Sequence, residues 1–257
     1  MMGRQGRTHL ATKRGHAAGE TAPRRRPSEG GYAKGAETRE KIIEAAFGVF
    51  AEETYLGAST RRIAAQAGVN PPALQYYFDS KEGLHRACGQ ALVERLMGDF
   101  ASVLHEARAA LESGQRATMI EAVCELMDRL ADLMMPRAQD ENWRRFLGRC
   151  QTHHQGPAYD LIEREFSAPL RELVTALVAG ALGTKAEDTQ TRLHAVLVLG
   201  QLSSLQVGAD LTLSTLGWPD FAGDRAALIK KTFRDHVVRL LTAPLPNPAT
   251  APPRTRR

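Results

Sequence analysis

One stretch decides the fold of this chain: STRRIAAQAGVNPPALQYYFDSKEGLH, residues Ser59 to His85. Its first part predicts a helix of only two turns, because Ile63, Ala64 and Ala67 recur at helical spacing and share one face. Ser59 stands directly before this helix, at the position where a serine side chain commonly accepts a hydrogen bond from a free backbone amide. The stretch therefore begins with a short, capped helix.

A second short helix follows after a tight reversal of the chain. Gly68 ends the first helix and supplies the backbone freedom that the reversal needs. Asn70 is a good N-cap, and Pro71 and Pro72 fall in the first turn, where backbone amides have no partner within the helix. Two short helices joined by a glycine-containing turn form a helix-turn-helix, whose second helix enters the major groove of DNA. Short helical hairpins also occur in proteins that do not bind DNA, so the motif alone leaves both interpretations open.

The rest of the chain is also helical, because apolar residues recur at three and four positions and strand-like alternation is missing. A helix near residues 37–53 places Ile42, Ile43, Ala46, Phe47 and Phe50 on one stripe. Further helices are predicted at about 60–67, 71–77, 81–110, 115–134, 140–154, 158–182, 187–209 and 222–242. Pro169 is expected to kink or split the element at 158–182. The fold class predicted is all-α.

The composition is that of a globular protein, with 43% hydrophobic and 25% charged residues among 257. No stretch is long and apolar enough for a membrane helix, and no signal peptide is recognisable at the amino terminus, so we expect a cytoplasmic protein without a membrane partner. Cys88, Cys124 and Cys150 lie far apart and lack metal-ligand spacing, and we expect reduced thiols. Neither a metal site nor a cofactor motif is predicted.

The positive charge of the chain is unevenly distributed. Residues 1–35 carry eight Lys and Arg against two Glu, net +6, whereas the whole chain is +5, so the remainder sums to −1. We predict a disordered basic arm at 1–35, a helix-turn-helix DNA-binding domain at 36–83, a larger helical domain at 84–243, and a disordered tail at 244–257. The arm is either a solvated linker or an attractor of DNA phosphates.

The segment from about Glu37 to Leu96 resembles the DNA-binding domain of the TetR family of transcriptional regulators. The resemblance is densest in STRRIAAQAGV and YYFDSKEGL. It implies an amino-terminal three-helix DNA-binding domain, followed by a larger helical bundle that binds a small-molecule effector and forms a homodimer. The remainder of the chain matches the family only in this general plan.

The resemblance assigns roles to individual residues. Thr60, Tyr76, Tyr77 and Lys81 match positions that hold DNA phosphates, whereas Arg61, Asn70, Pro71, Pro72 and Gln75 match positions that can reach base edges. An arginine can read guanine and a glutamine can read adenine. Ala73 and Gln75 depart from the commonest residues of the family, which leaves the operator sequence open.

A homodimer is expected, because one recognition helix reads only a few base pairs. The two last long helices offer apolar stripes for it: Leu193, Val196, Leu197, Gly200, Ser204, Val207, Ile229, Phe233, Val237 and Leu240. The same stripes would also suit core helices within one chain.

An effector pocket is expected among the middle helices. The candidate lining residues are Met127, Trp143, Phe146, His153, Tyr159 and Phe166, with Met119, Met134 and Met135 as further candidates. Taken singly, each of them fits an ordinary core position better than a pocket wall.

The leading hypothesis is a homodimeric repressor that a small molecule releases from a palindromic operator of double-stranded DNA. The alternatives are an activator, or a regulator that answers a protein or an oxidant. A helical enzyme that keeps the motif as scaffold is a third hypothesis, but no phosphate loop, nucleophile elbow or carboxylate pair supports it. We therefore predict that the protein is not an enzyme.

Overall fold

The protein is described by a computed structural model that covers residues 29–135 and 142–243. By its internal contacts the chain divides into two units, residues 1–37 and residues 38–257. The two tails predicted to be disordered lie mostly outside the described residues. The arm was expected to reach residue 35, whereas the first helix already begins at Glu29.

The described residues are all-α, as predicted, and contain no strand. The helices are α1 (Glu29–Glu52), α2 (Thr60–Gln66), α3 (Pro71–Phe78), α4 (Lys81–Ser113), α5 (Arg116–Met134), α6 (Asn142–His153), α7 (Pro157–Ile162), α8 (Ala168–Leu182), α9 (Thr189–Gly200), α10 (Ser203–Gln206), α11 (Ala209–Leu216) and α12 (Asp224–Thr242), and a π-helical turn at Glu163–Ser167 joins α7 to α8.

The helix-turn-helix forms as its sequence predicts, with one local difference. Gly68 adopts a positive φ of 67° in the turn. The Asn70 side chain caps α3 by accepting a hydrogen bond from the Ala73 amide at 2.9 Å, and the two prolines stand at the first two positions of α3. Ser59 differs: it has the extended backbone of an N-cap, but its side chain caps nothing. Its carbonyl accepts the first helical bond instead, from Ile63.

α4 connects the helix-turn-helix to the rest of the molecule without a break. The predicted domain boundary at 83/84 lies inside this helix, so the two regions share one continuous rod. α7 crosses α4 very closely: a Cβ added at Gly89 would lie 2.8 Å from the Ala158 Cα. Glycine at this position therefore sets how near α7 comes to α4.

Two predicted helices are interrupted in the structure. The element expected at 158–182 contains the π-helical turn Glu163–Ser167, and Pro169 falls at the second position of α8, where its missing amide is tolerated. The prediction of one helix at 187–209 is wrong. The chain breaks after Gly200 and again at Val207–Gly208, so that it forms α9, α10 and the additional helix α11. Side chains support the breaks, since the Ser204 hydroxyl donates to the Gln201 carbonyl at 2.7 Å.

One hydrophobic core runs through the described residues, from the α1 stripe through α4 to α12. All three cysteines are buried in it as free thiols, as expected. No group of side chains that could hold a metal ion occurs within the described ranges. None of the described helices is by itself long and apolar enough to cross a membrane. Only Thr189–Gln206 and Ala209–Leu216 taken together, which are bent by 77° relative to each other, would have that length and composition.

Candidate DNA-binding surface and effector cavity

The recognition helix α3 presents a polar and aromatic face to solvent. Leu74 and Phe78 point into the core, whereas Gln75 and Tyr76 are exposed, Tyr76 by 82%. Tyr77 is half-buried and packs edge-on against Tyr76, with ring centroids 5.3 Å apart. One tyrosine of the pair is thus anchored, and it supports the other at the surface.

Gln75 already has a partner within its own helix. Its side-chain amide donates to the Asp79 carbonyl at the end of α3, where Asp79 has a positive φ of 59°. This bond holds the side chain along the helix. The second N–H of the amide and its oxygen remain free to meet a base.

The two arginines at the start of α2 differ in their environment. Arg61 is exposed, beside the half-buried Thr60 at the first position of the helix. Arg62 forms ion pairs with both Glu52 and Glu53 at the end of α1, and these bonds raise its pKa. Both side chains are exposed, but Arg62 joins α1 to α2 through its ion pairs.

Lys81, at the start of α4, lies against the loop between α1 and α2. Its ammonium donates to the Leu56 carbonyl at 3.0 Å and lies 5.1 Å from the centroid of the Tyr55 ring. Leu56 itself is 77% exposed. Sequence reasoning missed this neighbourhood, because nothing in the local pattern shows that the loop and α4 meet.

The two stripes predicted for a dimer face opposite ways. Large apolar residues on α9 and just after α10 are exposed: Leu193 by 54%, Val196 by 63%, Leu197 by 55% and Val207 by 75%, with Gly200 exposed and Ser204 half-buried beside them. On α12, by contrast, Ile229 and Val237 are buried within the subunit, and Phe233 and Leu240 are half-buried.

This arrangement corrects the choice of residues on α12. The stripe of Ile229 and Val237 belongs to the face that packs on α5 and α8 within the same subunit, so it is not available to a partner. The solvent face of α12 carries Leu228, 52% exposed, and Val238, 38% exposed.

A cavity of about 450 Å³, called the central cavity below, lies between the middle helices. Its wall has an apolar part and a polar part. The lining residues are Leu130, Met134, Cys150, Gln151, His154, Tyr159, Ile162, Glu163, Phe166, Ser167, Leu170, Arg171, Leu199, Leu202, Ser203 and Gln206. The π-helical turn contributes to this wall, and so does the break between α9 and α10.

The structure brings together only some of the residues predicted for a pocket. Tyr159, Phe166 and Met134 line the central cavity. The remaining candidates do not: Met119, Met127, Met135, Trp143 and Phe146 are core residues, and His153 lines a separate narrow space beside Arg149. The polar lining residues Glu163, Arg171 and Gln206 were missed, because polar residues on an amphipathic helix are usually assigned to its solvent face.

His85 on α4 lies where the central cavity wall meets the helix-turn-helix. It is 2% exposed, and its Nδ1 accepts a hydrogen bond from the backbone amide of Ala158 at 3.0 Å. The rings of Phe50 and Tyr55 pack against it, with centroids 4.7 and 4.6 Å away. Burial, together with the charge of Lys81, lowers the pKa of His85 to about 4, so the imidazole is neutral at physiological pH.

An exposed helix-turn-helix joined by a continuous helix to a larger helical bundle is the architecture of a DNA-binding transcriptional regulator. Residues 42–88 match the protein-family model described as bacterial regulatory proteins, tetR family, and residues 119–244 match the C-terminal domain of the HTH-type transcriptional dual regulator CecR. A relative from Shigella flexneri, the HTH-type transcriptional dual regulator CecR, is 32% identical over 212 residues, which cover 81% of this chain and 93% of that protein. The chain belongs to the TetR family of bacterial transcriptional regulators.

Solved structures share the fold at low sequence identity. A transcriptional regulator from Rhodococcus sp. Rha1 has a TM-score of 0.53 at 20% identity, covering 81% of this chain and 99% of that one. AibR, solved in complex with isovaleryl coenzyme A and operator DNA, has a TM-score of 0.51 at 14% identity, covering 79% and 97%. FadR from Bacillus subtilis, solved with stearoyl-CoA, has a TM-score of 0.50 at 19% identity, covering 80% and 98%.

Proposed function

We propose that this protein is a homodimeric regulator that binds a palindromic DNA operator and is controlled by a small molecule in the central cavity. The observation that carries the proposal is the continuity of α4. This single helix begins at Lys81, next to the recognition helix, and passes under α7, whose residues line the cavity. A change in the cavity wall can therefore reach the DNA-binding surface through one rigid element.

Phosphate and base contacts fall to different residues of the exposed surface. Thr60, Tyr76, Tyr77 and Lys81 hold phosphates and so set the register of the protein on DNA, while Arg61 and the exposed start of α3 meet base edges. Asn70 caps α3 with its side-chain oxygen and keeps its amide N–H groups for a base, beside Pro71, Pro72 and Gln75. Gln75 contributes through its second amide N–H and its oxygen, while the first N–H stays on the Asp79 carbonyl.

The dimer forms through α9 and the outer face of α12. Four exposed aliphatic side chains on or just after α9 and α10 make a patch larger than isolated surface residues would, and such patches mark interfaces. The same region lines the central cavity from its other side through Leu199, Leu202 and Ser203. A ligand that moves this wall also moves the dimer face, and with it the spacing between the two recognition helices.

The sign of regulation follows from the position of the operator. Repression is the simplest outcome for a dimer that covers a promoter. The relative from Shigella flexneri is described as a dual regulator, which supports activation at other positions as a second mode. We further propose a cytoplasmic protein without catalytic activity. Control by thiol oxidation is disfavoured, because burial raises the pKa of all three cysteines, that of Cys150 to about 12.

A genomic selection with the purified protein at moderate salt tests the proposal. We expect enrichment of one discrete palindrome, with two half-sites about one helical turn of DNA apart. Enrichment of no sequence above a control without protein would refute the DNA-binding function. A footprint that overlaps a promoter, set against one lying upstream of it, separates repression from activation.

A further inference from the structure

The central cavity holds its charged groups as a matched pair. The Arg171 guanidinium donates from Nη1 to Glu163 Oε2 at 3.1 Å and from Nη2 to Glu163 Oε1. This bond holds the pKa of Glu163 below its usual value and raises that of Arg171, so both groups stay ionised. Among the described lining residues, Arg171 is the only guanidinium and none is a lysine. The one strong cation of the wall is therefore already neutralised from within.

The other polar groups of the wall are amide, imidazole and hydroxyl groups that form hydrogen bonds. Gln206 on α10 donates to Gln151 on α6 at 2.7 Å, across the cavity wall. The His154 ring lies against Tyr159, with centroids 5.1 Å apart. Hydroxyl groups come from Tyr159, Ser167 and Ser203. This set can donate and accept hydrogen bonds with a ligand, and among the described lining residues it adds no lysine and no second arginine.

The rest of the wall is apolar, and the volume is limited. Leu130, Ile162, Phe166, Leu170 and Leu202 form a continuous apolar lining. A volume of about 450 Å³ lies in the lower half of the range of roughly 300–1,000 Å³ typical of sites for drug-sized molecules. A nucleotide thioester such as an acyl-CoA would place its phosphate groups at this wall or outside it, and among the described lining residues the one guanidinium is already paired with Glu163.

We propose that the central cavity takes a neutral amphipathic molecule, with an aromatic or aliphatic body and hydroxyl, carbonyl or amide groups, and that it discriminates against carboxylates and acyl-CoA thioesters. The physical reason is charge: an anion entering the cavity gives up part of its hydration and meets the Glu163 carboxylate, 33% exposed, beside the Arg171 guanidinium, which is 50% exposed and already paired. The proposal rests on the proposed function only in naming this cavity as the effector site. It sets this chain apart from AibR and FadR, whose structures contain acyl-CoA molecules.

Two fluorescent probes that share one skeleton test the charge preference directly. N-phenyl-1-naphthylamine is neutral, and 8-anilinonaphthalene-1-sulfonate carries the same rings with a sulfonate. Titrated into the full chain, the neutral probe is expected to bind at one site per subunit, at least about tenfold more tightly than the sulfonate. Octanoyl-CoA is expected not to displace it.

Site variants assign the binding to this cavity. Ser203→Trp fills the cavity and is expected to abolish binding of the neutral probe. Ala110→Trp, which fills a separate space of about 390 Å³ between α4 and α5, is the matched control and leaves binding unchanged. Thermal unfolding of each variant checks that it is folded.

Charge variants test the role of the ion pair. Glu163→Gln leaves Arg171 unpaired and is expected to tighten sulfonate binding about tenfold while changing neutral-probe binding less than about twofold. Glu112→Gln, an exposed carboxylate near the end of α4 and outside the cavity lining, is the control and changes neither.

Three outcomes would overturn the inference: tighter binding of the sulfonate or octanoyl-CoA than of the neutral probe, no binding of the neutral probe, or no gain for the sulfonate in Glu163→Gln. None of these measurements uses DNA. A chain that binds the neutral probe as expected but enriches no operator would therefore keep this inference and lose the proposed function.

Discussion

The backbone amide of Ala158, in the first turn of α7, donates its hydrogen bond to Nδ1 of His85 on α4 at 3.0 Å. A helix amide in the first turn has no partner within its own helix, and here a buried side chain of another helix supplies one. The bond joins the helix that follows the DNA-binding motif to the helix that lines the central cavity. Its acceptor is a neutral imidazole, which makes it sensitive to pH.

Acid should weaken the hydrogen bond between Ala158 and His85. The pKa of His85 is about 4 in the folded protein against 6.5 for a free side chain, so between these values the unfolded chain binds a proton that the folded protein does not. The free energy of unfolding therefore falls as pH decreases from 6.5 toward 4, by about 3 kcal/mol in total from this group. Urea denaturation measures the free energy of unfolding of wild type and of His85→Gln. The difference between the two should shrink as the pH falls from 6.5 to 4. The exposed His105→Gln is the control, and an unchanged difference would contradict the assignment.

The crossing of α4 and α7 at Gly89 leaves no room for an added methyl group. Gly89→Ala places a Cβ 2.8 Å from the Ala158 Cα and 3.2 Å from its carbonyl oxygen, both backbone atoms that cannot swing aside. We expect a loss of about 1–3 kcal/mol in the free energy of unfolding. Gly98→Ala on the same helix meets nothing within 4 Å and should instead stabilise the protein by up to about 1 kcal/mol. Equal effects of the two substitutions would show that the crossing is looser than described.

Phosphate and base contacts should separate by their salt dependence. Lys81→Ala is expected to weaken binding to every operator variant and to reduce the slope of log K against log salt by about 1. Gln75→Ala should leave that slope intact and relax preference at one base pair, by about 1–3 kcal/mol. Lys185→Ala, on an exposed loop after α8, serves as the control. If Gln75→Ala weakened binding equally to all operator variants, Gln75 would not read a base.

A charge on the outer face of α9 should dissociate the dimer. Leu197 is 55% exposed in one subunit, so Leu197→Glu is expected to leave a folded monomer, measured by light scattering after gel filtration and by thermal unfolding. Val237→Glu should unfold the subunit instead, because that side chain is fully buried. Leu111→Glu, on a similarly exposed leucine of α4, should remain dimeric. A dimeric Leu197→Glu would place the interface elsewhere.

The three thiols should be inert while the protein is folded. Burial raises the pKa of Cys150 to about 12 and that of Cys124 to about 11, and raises that of Cys88 further, so almost no thiolate forms at neutral pH. Reaction with Ellman's reagent is expected only after unfolding, with three equivalents in denaturant. Rapid reaction of one thiol in native buffer would reopen control by oxidation.

The helix-turn-helix could be predicted from the sequence because its determinants are local. The cap at Asn70, the prolines of the first turn and the positive φ of Gly68 each depend on residues within a few positions, and the inward spacing of Leu74 and Phe78 needs only helical periodicity. The same locality explains why the order and most boundaries of the other helices were predicted closely.

Only the tertiary structure decided which face of each later helix meets which neighbour. Ile229 and Val237 form an apolar stripe that would look the same whether a partner subunit or α5 covered it, and packing chose α5. The ion pair of Glu163 with Arg171 became part of a cavity wall because the π-helical turn and the break after Gly200 placed α8 and α10 around one space. Periodicity shows that a face is buried, but the identity of its neighbour depends on long-range packing that no local pattern encodes.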